Sequence, residues 1–113
     1  MHEYAIVRAL MDRVEQEARA RQALRVHRVR IQLGEAAGVD GDLLATAFRT
    51  YREAAGCGAT DLDVVPVPAR WACTGCGREV CRGEVLQCPA CGLPARLIAG
   101  DEILLERIEM EVA

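Results

Sequence analysis

From Tyr4 to about Ala20 the apolar residues Ile6, Val7, Leu10, Met11 and Val14 recur at helical spacing, with Arg8, Asp12, Arg13, Glu15 and Arg19 between them. This pattern predicts an amphipathic helix, which needs a surface to pack on. Next, Arg28-Val29-Arg30-Ile31-Gln32-Leu33 alternates polar with apolar, the period of a strand with one face in the core. Gly34 and Gly38 bracket a loop. Asp40 offers an N-cap to a second helix whose buried stripe is Leu43, Leu44, Ala47, Phe48 and Tyr51, before the breaker run Gly56-Cys57-Gly58. Leu62 to Val67 reads as a strand ended by Pro66 and Pro68. Ile103 to Val112 reads as another, with Ile108, Met110 and Val112 on one face and glutamates on the other. The change of phase between Leu105 and Ile108 predicts a bulge or kink.

Between these strands, residues 70–92 carry neither a helical nor a strand period. The expected organisation is a body made of residues 1–69 and 93–113, interrupted by an insert at 70–92. The fold class expected is α+β, with two helices packed on a small, roughly three-stranded sheet and an inserted knob that, holding five of the six cysteines, is expected to be metal-held.

At 113 residues the chain has room for one compact domain, or for a small domain carrying an insertion. Apolar residues make up 51% of it, enough for a core, yet only Tyr4, Phe48, Tyr51 and Trp71 are aromatic. The packing is therefore aliphatic, and platforms for base stacking are scarce. The formal charge is −3 and the 14 basic residues are all arginine. No charged leader with an apolar core opens the chain and no long apolar run crosses it, so a soluble cytoplasmic protein is expected, without membrane contact.

Six cysteines without an export signal favour metal binding over disulfides. They concentrate in CTGCGREVCRGEVLQCPAC, where Cys73 and Cys76 form one Cys-x-x-Cys, Cys88 and Cys91 a second, and 11 residues separate the pairs. Two such turns can bring four thiolates to one point, and Gly75, Gly77, Pro89 and Gly92 suit tight turns there. A closed four-thiolate site suits structural Zn(2+), with iron the competitor for the same sulfurs. So short a segment buries too little surface to fold alone, so its fold should depend on the metal. Cys57 and Cys81 lack ligand spacing and read as spare thiols. Four ionised sulfurs and one divalent ion would take the formal charge from −3 to −5, which argues against nucleic acid.

The start Met1-His2-Glu3 has its own chemistry. The α-amine, the His2 amide nitrogen and the His2 imidazole form fused chelate rings, and Glu3 can give a fourth donor through carboxylate or amide. Such nitrogen-rich, near-planar coordination suits Ni(II) or Cu(II). The same residues also make an ordinary exposed helix start, with Glu3 favourable at the dipole. His27, at the start of a strand, reads as a solvated or edge residue.

Together, Met1-His2-Glu3, the stretch Val29-Arg30-Ile31-Gln32-Leu33-Gly34-Glu35 leading to Gly38-Val39-Asp40, the two cysteine pairs and the closing strand from Gly100 to Val112 resemble the HypA/HybF hydrogenase nickel-incorporation proteins. The resemblance covers nearly the whole chain. It implies that Met1, His2 and Glu3 hold Ni(2+) as transferable cargo, that Asp40 neighbours that site, and that Cys73, Cys76, Cys88 and Cys91 hold zinc. It further implies a nickel metallochaperone rather than an enzyme, serving a [NiFe]-hydrogenase large-subunit precursor with a nickel-handling GTPase, and urease maturation factors as further candidate partners. Ala5 stands where a serine is frequent in that family, and Cys81 is extra to its pattern.

Two other readings compete. A zinc-ribbon nucleic-acid or interaction module would want a basic stripe, whereas the knob and its flank offer only Arg70, Arg78, Arg82 and Arg96. A dithiol redox protein would want its attacking cysteine at a helix N-terminus after a strand, and these pairs lie in a loop-rich segment. No phosphate-binding Gly-x-x-x-x-Gly-Lys loop is present, so any nucleotide chemistry belongs to a partner.

Overall fold

The computed structural model describes residues 2–56, 58–80 and 86–113. Met1, Cys57 and Cys81 lie outside the described residues, so their expected roles receive no structural account. In chain order the elements are α1 (His2–Ala20), β1 (Ala23–Gly34), α2 (Gly41–Ala55), β2 (Asp61–Val67), β3 (Arg70–Cys73), β4 (Glu79–Val80), β5 (Ala95–Ala99) and β6 (Ile103–Val112). They form one three-stranded sheet in the order β2-β1-β6 and a second in the order β4-β3-β5. Two compact units result. The first comprises Met1–Gln32, Val39–Val65 and Leu104–Ala113; the second comprises Leu33–Gly38 and Pro66–Ile103.

In the first unit the helical stripes read from the sequence become the core. Val7, Met11 and Val14 of α1 are buried, as are Leu44, Ala47 and Phe48 of α2 and Val29 and Ile31 of β1. The two helices pack on each other, and α1 also flanks the sheet, sharing one groove with Val26 of β1 and another with Leu105, Ile108 and Met110 of β6. On β1 the side chains of Arg28, Arg30 and Gln32 alternate with the buried Val29 and Ile31. They meet carboxylates of both neighbouring strands: Arg28 lies 3.0 Å from Asp63 and 3.7 Å from Glu109, Arg30 lies 3.6 Å from Asp63 and 3.7 Å from Glu106, and Gln32 donates to Glu106 at 2.7 Å. The Arg28 guanidinium holds the Asp63 carboxyl below the usual carboxylate range. His27 is exposed, its Nε2 3.3 Å from Glu111.

Helix α2 starts as expected. The Asp40 carboxylate accepts from the N–H groups of Asp42 and Leu43 at 2.8 and 3.1 Å, satisfying two donors that a helix start leaves open. Strand β2 runs through Pro66 rather than ending at it. It is an edge strand in the order β2-β1-β6, where a missing N–H is tolerated. In β6 the half-buried positions are Ile103, Leu105, Ile108 and Met110, with Glu106 and Arg107 both exposed between them, the change of phase expected there.

The second unit corrects the reading of residues 70–92 as free of strand structure, since β3 and β4 lie inside that segment and β5 follows it. Strand β3 pairs antiparallel with β4 (Trp71 opposite Val80) and with β5 (Trp71 opposite Leu97, Cys73 opposite Ala95). Arg70 closes the β3–β4 pair on Glu79 at 2.6 and 3.2 Å. Next to these strands the chain makes a tight crossing. Gly34 N–H donates to Glu102 O at 2.8 Å, Glu35 N–H to Val67 O at 2.8 Å, Ala36 N–H to Gly100 O at 2.7 Å, and Ala69 N–H to the Glu35 carboxylate at 2.9 Å. Only glycine fits at two of these points. A Cβ at Gly34 would collide with the Gly100 carbonyl, and one at Gly100, whose φ is +88°, would sit 2.5 Å from Pro68 O.

Candidate metal centre

Each Cys-x-x-Cys is followed by glycine, and both turns fold the same way. In the first, the N–H groups of Gly75 and Cys76 donate to Cys73 Sγ at 3.3 and 3.4 Å, and Gly77 N–H donates to Cys73 O at 3.1 Å. In the second, Cys91 N–H donates to Cys88 Sγ at 3.4 Å and Gly92 N–H to Cys88 O at 2.8 Å. Gly77 and Gly92 take φ of +77° and +69°, the left-handed conformation that closes each turn after its second cysteine. The first cysteine of each pair is buried and the second exposed.

The turns converge. All four sulfurs lie within 4.8 Å of one another, and Cys76 Sγ stands 3.8 Å from Cys88 Sγ. Four sulfurs about 2.3 Å from a common zinc ion would be about 3.8 Å apart along a tetrahedral edge. A disulfide needs its sulfurs about 2.0 Å apart. The donor set therefore fits a single tetrahedral ion held by thiolates.

Electrostatics within the cluster are uneven. The backbone N–H groups of Cys76 and Gly75 hold the Cys73 thiol down to about 6. Cys88 is lowered too, chiefly by the N–H of Cys91. Cys91 is pushed up to about 12, first by its hydrogen bond with Cys76 and then by partial desolvation among the other sulfurs. The turns thus favour thiolate at Cys73 and Cys88 and disfavour it at Cys91, and a divalent cation at the centre would offset the latter by favouring thiolate at every ligand.

Among the described residues these cysteines form the one group of three or more His, Cys, Asp or Glu side chains close enough to share an ion. His2 begins α1 exposed to solvent, and Glu3 follows in its first turn. Their backbone N–H groups belong to the helix's open first turn, which has no carbonyl partner within the helix. Asp40 is engaged as the cap of α2. The spacing of the cysteines made the four-sulfur group legible. The N–H groups of Gly75, Cys76 and Cys91 that feed the sulfurs were not, although the shared Cys-x-x-Cys-Gly pattern was a signal for them.

Two helices with a three-stranded sheet, together with a second small sheet carrying two matched cysteine turns, define the class: an α+β protein with a four-cysteine cluster that could hold a metal ion. A family model described as "Hydrogenase/urease nickel incorporation, metallochaperone, hypA" matches residues 1–110. The hydrogenase maturation factor HypA of Shewanella oneidensis is 42% identical over 115 aligned positions, covering 100% of this chain and 98% of its own. That of Aquifex aeolicus is 33% identical, covering 99% of each. Among solved structures, the solution structure of the Ni metallochaperone HypA from Helicobacter pylori matches with a TM-score of 0.70 at 28% identity, over 98% of each chain. The chain belongs to the HypA family of nickel metallochaperones for hydrogenase maturation.

Proposed function

We propose that the chain takes up Ni(II) through Met1, His2 and Glu3 and delivers it to a [NiFe]-hydrogenase large-subunit precursor. The observation that carries this reading is an exposed His2 at the head of α1 in a chain whose family is defined by nickel incorporation. Amine, amide and imidazole nitrogens suit Ni(II), and first-turn amides can be used without breaking helix hydrogen bonds. Asp40 is a neighbour of this site in the proposal, with its cap hydrogen bonds kept.

Zinc, held by Cys73, Cys76, Cys88 and Cys91, is the structural ion. Its fold-holding effect is centred on residues 70–92 and reaches the rest of the second unit through the pairing of β3 with β5, and the first unit is the nickel-binding body. A nickel-handling GTPase and urease maturation factors are the further partners, and the cytoplasm is the place of transfer. The family description, which couples hydrogenase with urease nickel incorporation, supports the hydrogenase and urease side of that partner set. No described helix is long and apolar enough to cross a membrane.

Calorimetric titration of Ni(II) into the zinc-loaded chain tests the reading. Adding residues before Met1, or replacing His2 by Ala, should weaken Ni(II) strongly and leave zinc content unchanged. Amine and imidazole nitrogens bind Ni(II) only when deprotonated, so affinity should fall as the pH is lowered and protons displace the metal. Undiminished nickel affinity in the extended chain would refute the terminal site.

A further inference from the structure

A metal site at the first residues of a helix has a physical problem: helix ends fray, and a frayed ligand set must be ordered each time the ion binds. The structure holds a device against this. Tyr4, one residue beyond Glu3, is half-buried, and its ring meets that of Tyr51 with centroids 6.4 Å apart and planes tilted by 57°. This spacing and tilt fall in the range of attractive aromatic pairs. Tyr51 comes from α2, whose position is fixed by the Asp40 cap at its start and by buried Leu44, Ala47 and Phe48 along its length. The next buried residue of α1 after Tyr4 is Val7. Among the described residues the aromatic pair is thus the most N-terminal ring contact on α1, and it lies within one turn of His2 and Glu3.

We propose that Tyr51, acting through Tyr4, is a positioning residue for nickel: it clamps the first turn of α1 so that the His2 and Glu3 donors are presented in one arrangement. This rests on the terminal nickel reading above. Neither tyrosine need touch the ion. An anchor of this kind raises affinity by lowering the ordering cost of the ligands rather than by adding a donor.

The test is a double-mutant cycle on the full, zinc-loaded chain, with Ni(II) affinity read by calorimetry and ligand geometry by the nickel d–d absorption. Tyr51→Leu keeps bulk but removes the ring, and should weaken Ni(II) by about three- to tenfold, the scale of one aromatic pair. Tyr4→Phe, which keeps the ring, should retain both affinity and spectrum. Tyr4→Leu should reproduce the loss, and the double Leu variant should add little to either single one. A chain extended before Met1 is titrated alongside. If extension abolishes nickel binding while Tyr51→Leu and Tyr4→Leu bind within twofold of wild type, the terminal site stands and the clamp is refuted. Loss in the Leu variants that Tyr4→Phe shares also refutes a clamp made by the rings. Should the extended chain bind Ni(II) undiminished, the terminal site falls and the clamp with it. Zinc content and helical circular dichroism, measured on every variant, separate these outcomes from unfolding; if Tyr51→Leu does not fold, Tyr4→Leu with its Phe counterpart carries the same decision.

Discussion

At the scale of single residues, the cysteines and the charged sheet face show what spacing can and cannot reveal. The clustering of the four cysteines was legible because two Cys-x-x-Cys turns can bring four sulfurs to one point, and all four do lie within 4.8 Å of one another. The difference between buried Cys73 and Cys88 and exposed Cys76 and Cys91 was not legible, since it depends on which end of each turn faces the sheet. Replacing Cys88 by Ser removes a buried member of the set together with the N–H contact from Cys91, and zinc content per chain, measured by elemental analysis, should fall well below that of wild type. Asp63 illustrates the other kind of residue. It is depressed by Arg28, so it binds protons less readily folded than unfolded. The sign follows: its contribution to stability is present above the unfolded value near 3.8 and is lost as pH falls through the lower folded value. Asp63→Asn should be less stable than wild type at neutral pH, with the gap closing in strong acid; urea melts across that range measure it. A gap independent of pH would remove the ion pair as its cause.

At the scale of elements, the long periodic segments were legible and the short ones were not. Helices α1 and α2, the Arg28–Leu33 part of β1 and strand β6 each show a stripe or alternation long enough to declare its period, whereas the Ala23–His27 part of β1 does not. Strands β3, β4 and β5 hold four, two and five residues, too few for a period, and their pairing is set by the cysteine turns between them. The Leu33-Gly34-Glu35 stretch was visible as a motif, and its reason is a packing one: Gly34 lies against the Gly100 carbonyl while Glu35 reaches Ala69 N–H. Gly100→Ala puts a methyl group 2.5 Å from Pro68 O at a φ of +88°. Backbone atoms cannot give way as a flexible side chain can, so the variant should lose about 1–3 kcal/mol in denaturant melts. Gly38→Ala is the control, because its φ is +77° but a Cβ there meets nothing within 4 Å, and its loss should be the smaller of the two.

At the scale of the whole molecule, the two units differ in what holds them together. The first owns both helices and an aliphatic core that includes Val7, Met11, Val14, Val29, Ile31, Leu44 and Phe48. The second is buried mainly at Leu33, Ala72, Cys73, Val80 and Cys88, a core of which two members belong to the four-sulfur cluster. Hydrophobic burial on that scale does not offset the entropy of ordering so many residues, whereas four metal–thiolate bonds can. Removing zinc should therefore act on one unit. The sequence provides separate reporters, since its single tryptophan, Trp71, sits in the second unit between β4 and β5 partners, and both helices sit in the first. Chelation under reducing conditions should change Trp71 fluorescence towards that of a solvated indole while the helical circular dichroism is retained, and adding zinc back should restore the fluorescence. Simultaneous loss of both signals would mean that the aliphatic unit also depends on the metal. An unchanged fluorescence after complete zinc removal would mean that β3, β4 and β5 stand on their own pairing, and the four-thiolate site would then have to be read as something other than the centre that folds this unit.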